Sequence, residues 1–467
     1  MRDARPVAAR RLGRRRAAHP ILAVAAPAAV VVTMMLGLAS CGNSGDTATP
    51  SGSNVSSNSE VDAGGPNESP GVTDSEIKFA SFGTNSANPL GTCVLDCFDA
   101  GVKAYFAWRN DEGGVHGRQL VLSEELDDQL MQNQQRALEI VSANDVFATF
   151  SAAQVASGWA DIAQAGIPLY TWAINFNEMN GKPGIYGNAP VTCAGCTGPF
   201  IPWVAKQAGA TKIASLGYGI SQNSKDCANG QKASVERYAA NTGQSAAYTN
   251  ADLGFGLPNG IANEVTAMKS AGVDFIATCL DLNGVKTLEQ EMARQGMGDV
   301  PVLHANTYDV DYISSAGDLF EGDFVGVGFR PFEADAGNSQ IGKYHEWMEK
   351  TGAKETELAM NGWMNADLAY QGIKAAGPSF TRASVIEATN KLTAWSAGGL
   401  TTPIDWSRQH QFPTEGDQAT NGYKDYCRSF VRVKSQKFEL VGEKDKPFVC
   451  LDATGNTLPE AVYKNFE

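Results

Sequence analysis

From Ser75 onward, short apolar runs alternate with segments whose apolar residues recur at helical spacing. Glu76-Ile77-Lys78-Phe79-Ala80-Ser81-Phe82 alternates and runs into a Gly/Asn/Pro turn, which predicts a strand. Phe98 to Trp108 has a helical period and closes on the turn residues Arg109 to Gly117. Gln119 to Ser123 predicts a strand, Asp127-Asp128 a helix start, and Gln134 to Val141 a helix. Val146 to Asn175 then reads strand, turn, helix, turn, strand. Its turns, Ser151 to Gln154 and Thr171 to Asn175, fall at carboxyl ends of strands, where ligand crevices form in parallel sheets. The first turn also lies before a helix start, where backbone N–H groups lack intrahelical partners. The stretch therefore predicts one wall of a small-molecule cleft.

The pattern repeats after the Pro/Gly-rich Gly181 to Pro202. Helices are expected at Ile201 to Gly209, Cys227 to Thr242, Ile261 to Ala271 and Val285 to Gln295. They alternate with strands at Lys212 to Leu216, Ser245 to Tyr248, Asp274 to Cys279, Val302 to Ala305 and Gly322 to Gly328. Such alternation means βαβ units and parallel sheets, so the fold class is α/β: two similar lobes, each a parallel β-sheet flanked by helices. The rest is helical at Gln340 to Thr351, Ala359 to Ala376 and Thr381 to Leu392, then extended at Leu400 to Ile404, Tyr426 to Val433 and Phe438 to Val441. These pieces make a poor domain alone and complete both lobes, so the chain crosses between lobes several times, as a hinge.

Composition adds a targeting segment. Met1 to His19 carries seven arginines, Pro20 to Leu38 is apolar apart from Thr33, and Leu38-Ala39-Ser40-Cys41 is a bacterial lipobox. Residues 1–40 read as a lipoprotein signal peptide, Cys41 as the lipidation site, and residues 41–74, rich in Gly, Ser and Asn, as a disordered tether. Without the signal, 30 Lys+Arg stand against 50 Asp+Glu, near −20. That charge excludes nucleic acid and an anionic lipid surface as partners.

Eight cysteines follow Cys41, an even number in an exported chain, and read as a disulfide framework. Spacing favours local staples Cys93–Cys97 and Cys193–Cys196; the other four would then pair as Cys227–Cys279 and Cys427–Cys450, although sequence alone leaves 105 connectivities open. No HExxH, G-x-S-x-G or Walker-type loop occurs. The expectation is a protein that is not an enzyme and uses neither cofactor nor metal. A secreted hydrolase is the remote alternative, with His304, at a strand end, the residue to watch.

Several passages in order resemble the branched-chain amino acid type of ABC-transporter substrate-binding proteins, with the type I periplasmic-binding fold. They are Glu76-Ile77-Lys78, Gly113-Gly114-Val115-His116-Gly117-Arg118, Asp127-Asp128, Ala165-Gly166-Ile167-Pro168, Phe320-Glu321-Gly322 and Gly398-Gly399-Leu400-Thr401. The resemblance covers nearly all of Ser75 to the end. It implies an extracytoplasmic, lipid-anchored, monomeric protein that delivers a small polar solute to ABC permease subunits; a lipid-anchored sensor would use the same fold. It places the carboxylate side of the ligand at Ser151, Gln154, Thr171, Trp172, Ala173 and Ile174. From the second lobe it adds an aromatic and an acid, with Tyr218, Tyr308, Asp281 and Asp309 the candidates, and Asn306 of the same ligand loops. Residues 75–196 with 334–398 form lobe 1, and 197–333 with 399–467 lobe 2. Ala152, Ala153 and Trp172 depart from the family's hydroxyl-rich turns. They predict an amino acid or small amide or carboxylate solute other than leucine, isoleucine or valine. Trp172 reads as a ligand platform or as a core aromatic, Asp281 as an amine ligand or as a cap for the helix from Val285. Asp309 with Asp311 lacks the Gly and distal Glu of a calcium loop.

Overall fold

The computed structural model describes residues 69–88, 91, 93–172, 176–187, 197–411, 426–452 and 454–457. The signal peptide, nearly all of the tether, Cys41, Ala173, Ile174 and the Cys193–Cys196 pair lie outside the described residues. No described helix is long and apolar enough to cross a membrane.

The first sheet is built from β1 (Glu76–Gly83), β2 (Gln119–Asp127), β3 (Ala148–Ala152), β4 (Leu169–Thr171) and β5 (Ile185–Gly187), in the order β2-β1-β3-β4-β5. All of its pairings are parallel. Its connections are α1 (Leu95–Asp111), α2 (Asn133–Ala143), α3 (Trp159–Gln164) and α4 (Phe176–Met179). After α5 (Phe200–Gln207) comes a second series: β6 (Lys212–Tyr218), α6 (Gln222–Thr242), β7 (Ser245–Leu253), α7 (Ala262–Ala271) and β8 (Phe275–Cys279). It continues through α8 (Leu282–Gln295), β9 (Val302–His304), α9 (Val310–Ser315) and β10 (Phe324–Val327). The last elements are α10 (Ile341–Thr351), α11 (Glu357–Ala376), α12 (Arg382–Thr389), β11 (Tyr426–Lys434), β12 (Lys437–Leu440) and β13 (Val449–Leu451). The second sheet runs β12-β11-β10-β9-β8-β6-β7, with β13 beside β11. It is parallel from β7 to β10, and β11, β12 and β13 join antiparallel. This is the expected α/β class with two lobes. In both sheets the first strand lies between the next two, so each has a switch point where a crevice opens at the carboxyl ends.

Phe79, Phe98, Phe106, Phe147 and Phe150 fill the core of the first lobe. Helix α11, distant in sequence, packs on α1 through two glycines. A Cβ on Gly101 would lie 1.7 Å from the Ala359 carbonyl oxygen, and one on Gly362 1.9 Å from that of Phe98. Only a hydrogen fits at this crossing. Trp108 stacks on Trp363, and the buried Asp367 accepts from Tyr105 Oη and Trp395 Nε1, both at 2.8 Å, tying the tail helix to α1. Disulfides Cys93–Cys97, Cys227–Cys279 and Cys427–Cys450 are present. The second closes a long ring and contributes about 4 kcal/mol in the loop-entropy account.

Five local expectations are corrected. Asp127-Asp128 does not open a helix: Asp127 ends β2, where its carboxylate accepts from the backbone N–H groups of Asn85, Ser86 and Gln129, and α2 begins only at Asn133. Helix α3 does not follow Gln154 directly. The Asn133 side chain accepts from the N–H groups of Ser157 and Gly158, and the helix begins only at Trp159. Ile185–Gly187, inside the stretch read as a separator, adds the edge strand β5. Helix α6 starts at Gln222 because Ser221 caps it, an interaction of about 1 kcal/mol. Leu400 to Ile404 is not a strand: Leu400 and Thr401 N–H donate back to Ala397 O and Ser396 O, and Ile404 pairs with Trp395 in an isolated bridge. Arg330 N–H donates to Leu400 O at 2.6 Å, and just ahead of the stretch Arg330 Nε donates to Gly399 O at 3.3 Å and Gln340 N–H to Gly398 O at 2.8 Å. The segment after β10 thus runs beside the turn at Gly398 to Thr401.

Candidate functional site

A cavity of about 30 Å³ lies between the lobes. Its first-lobe wall is Gly91 and the Cys93–Cys97 cystine, which ties the loop between β1 and α1 to the first turn of α1. Its second-lobe wall is Leu282 in the first turn of α8 with Asn306, Tyr308 and Asp309 after β9, and Thr356, Glu357 and Leu358 from the start of α11 complete it. A Cβ on Gly91, at φ +69°, would lie 2.6 Å from the side chain of Asn283, so the two lobes touch here. The space suits about two waters. A solute of amino-acid size therefore requires the lobes to part about the crossings. A larger groove of about 260 Å³ on the first lobe is an open surface feature beside the exposed Lys103–Glu125 ion pair.

The second-lobe wall is organised by a buried polar network. His304, at the end of β9, contacts Thr307 Oγ1 through Nδ1 at 2.7 Å and Asp323 Oδ2 through Nε2 at 3.0 Å. Asp323 Oδ1 accepts from Val302 N–H at 2.8 Å. Burial, reinforced by the Asp323 carboxylate, pushes the neighbouring Glu289 well above the ordinary carboxyl range, which favours its protonated form. The ligand atoms of Glu289, His304 and Asp323 lie within 4.8 Å of one another, a set able to hold a cation; the hydrogen bonds formed account for His304 and Asp323 without one. The network pins the chain on both sides of the turn that presents Asn306. Tyr308 follows, 2 % exposed: its Oη donates to Glu333 Oε2 at 2.6 Å and accepts from Phe332 N–H at 2.7 Å. A cavity-lining tyrosine is thereby tied to a lobe crossing. Asp309 caps α9 by accepting from Tyr312 N–H, and lies 3.7 Å from Lys354.

Tyr218 and Asp281 are brought together, but beside the cavity rather than on its lining. Tyr218 Oη donates to Asp281 Oδ2 at 2.5 Å, and Asp281 Oδ1 caps α8 by accepting from Gly284 N–H at 3.1 Å. Burial raises the Asp281 carboxyl, and the Tyr218 hydroxyl and the Gly284 N–H oppose that push. The pair sets the first turn of α8 and hence the position of Leu282.

The first-lobe stretch is knit into its own lobe. Ser151, in β3 and fully buried, accepts from Trp159 Nε1 at 3.3 Å, and its carbonyl accepts from Trp172 N–H at 3.0 Å. Gln154 N–H donates to Thr84 Oγ1 at 3.1 Å. Thr171 is buried at the end of β4, with its carbonyl accepting from Asn365 Nδ2 at 3.3 Å. Trp172 is half-buried and packs on the core. None of these four lines the described cavity.

Sequence reasoning missed Glu357. Its Oε2 is enclosed without a hydrogen-bond partner. Burial pushes its carboxyl up to about 8, opposed by the charge of Arg428 and the backbone N–H of Tyr308. In the sequence it reads as an ordinary acid in a first helical turn after the capping Thr356, and only the topology carries that turn to the cavity.

Comparison with known proteins gives the same picture. Residues 91–419 match the family described as periplasmic binding protein. No curated protein matches the chain. Among solved structures, a substrate-binding periplasmic protein from Ralstonia solanacearum is similar at 19% identity and TM-score 0.62, covering 78% of this chain and 100% of that one. A branched-chain amino acid ABC transporter protein from Thermus thermophilus with bound valine is similar at 17% identity and TM-score 0.59, covering 84% and 99%. A fatty acid ABC transporter substrate-binding protein from Thermomonospora curvata is similar at 18% identity and TM-score 0.59, covering 85% and 95%. At these identities the likeness is one of fold.

Proposed function

The chain belongs to the periplasmic binding protein family, and from that premise we propose that it is the extracytoplasmic solute-binding component of an ABC importer, closing two lobes on a small polar solute and delivering it to permease subunits. The observation that carries this reading is the inter-lobe cavity, walled from both lobes at the carboxyl ends of β1, β8 and β9 and bordered by residues tied to the crossings. A solute that bridges both walls favours the closed arrangement over the open one, because only then are both sets of contacts made. The solute contacts are Asn306, Tyr308 and Asp309, with Leu282 and Glu357. Ser151, Gln154, Thr171 and Trp172 shape the first lobe behind the loop that carries Gly91. Lobe 1 comprises residues 75–196 and 334–398 and lobe 2 residues 197–333 and 399–467, and the body acts as a monomer held to the membrane by lipid on Cys41.

The test is thermal unfolding of the purified chain against amino acids, amides, amines and small carboxylates. A true ligand at a hundredfold excess over Kd stabilises by about 2.7 kcal/mol through mass action. A panel in which no solute moves the midpoint contradicts the reading.

A further inference from the structure

We propose that Glu357 is the specificity-determining residue of the inter-lobe site, and that the solute it selects carries a protonated nitrogen: an alkylammonium, amidinium or guanidinium group. The inference rests on the solute-binding reading above and names the ligand chemistry of the same site.

Three observations carry it. Glu357 lines the cavity, yet its Oε2 is enclosed and unpartnered. A buried carboxyl oxygen without a hydrogen-bond partner is costly and calls for an explanation such as a ligand that pairs with it. The lining holds a second carboxylate, Asp309, and neither lysine nor arginine. Asp309 leaves the lining unfavourable to an anionic solute, whereas a cationic nitrogen supplies the missing donor and stabilises Glu357 in its carboxylate form. The groups that face Glu357 are Arg428 on β11, Tyr308 and Asp309 after β9, and Glu333, which accepts from the Tyr308 hydroxyl; Lys354 lies beside Asp309. Arg428 lowers the cost of the charge, and its Nε is also without a hydrogen-bond partner.

A proton balance follows. With its carboxyl pushed up to about 8, Glu357 carries a proton in the free protein at neutral pH. A cationic solute pairs with the carboxylate, so binding expels that proton to solvent and the complex gains none. Affinity then rises with pH up to the raised value and levels above it. Between pH 6 and 8 the expected gain is about 50-fold, for a solute amine that stays charged throughout. Burial raises Glu333 as well, so Glu333→Gln serves as the control for the origin of the effect.

The experiment measures binding of putrescine, agmatine, isobutyramide and butyrate to the purified chain by calorimetry at pH 6, 7 and 8, in buffers of differing ionisation heat. The expected result is binding of putrescine or agmatine with release of about one proton at pH 7. Glu357→Gln should cut that affinity at least tenfold and flatten the pH profile, while Glu333→Gln keeps the slope. The buffer measurement needs no variant, so a misfolded Glu357→Gln does not rescue the idea. Binding of butyrate or isobutyramide in preference to the amines, or amine binding without proton release, overturns the assignment of Glu357 and leaves solute binding standing. If none of the four probes binds, and the wider solute panel is also silent, the assignment and the solute-binding reading fall together.

Discussion

Two loops at carboxyl ends of strands look equivalent in the sequence and behave differently in the molecule. In the stretch after β3 and β4, from Ser151 to Trp172, the Ser151 hydroxyl, the Gln154 N–H and the Thr171 carbonyl bond inside their own lobe, to Trp159, Thr84 and Asn365. The loop after β9 is pinned from behind by His304 and Asp323 and turns Asn306, Tyr308 and Asp309 to the cavity. Strand-end position makes both loops eligible for a ligand; of the two, the loop after β9 lines the described cavity.

If this contrast is right, damage to the first loop should appear as lost stability and damage to the second as lost binding. The largest effect is expected from Trp159→Ala, which removes a 3 % exposed indole and the donor to Ser151. Denaturant unfolding should show a loss of about 3–5 kcal/mol, with solute affinity kept in the molecules that stay folded. His304→Ala comes next: it strips Asp323 of its buried partner and frees Thr307, for about 2–4 kcal/mol. Unlike the first variant it should also weaken solute binding, because the Asn306 turn loses its anchor. Tyr308→Phe is the smallest in stability, about 1–2 kcal/mol for the two hydrogen bonds lost, and the most selective. Calorimetry should show solute affinity reduced roughly tenfold, about 1.4 kcal/mol. Equal losses of affinity in Trp159→Ala and Tyr308→Phe would erase the distinction between the loops.

The α/β alternation was legible because strand periodicity, helix period and caps such as Thr381 are local signals, and a chain of βαβ units has few ways to be arranged. Leu400 to Ile404 misled for the complementary reason. Its apolar run has strand character, but its backbone bonds close a local turn on Trp395, Ser396 and Ala397, and Leu400 O accepts from Arg330, far earlier in the chain. The loop after β9 could be read as a site because a strand end is a local feature. Asp281 could be read equally well as a cap, and it does cap α8, while also holding Tyr218. Glu357 had no local signal at all. It sits one residue past a capping threonine, as many acids do, and becomes a cavity residue only because the glycine crossing of α1 and α11 sets where that helix begins.

Hydrogen exchange read by mass spectrometry, on the chain with and without saturating solute, tests the central claim most directly. Protection should concentrate in the segments around Gly91 to Cys97, Asn306 to Tyr312 and Thr356 to Met360, with Ser151 to Trp172 unchanged. Protection confined to Ser151 to Trp172, with Asn306 to Tyr312 unaltered, would contradict it.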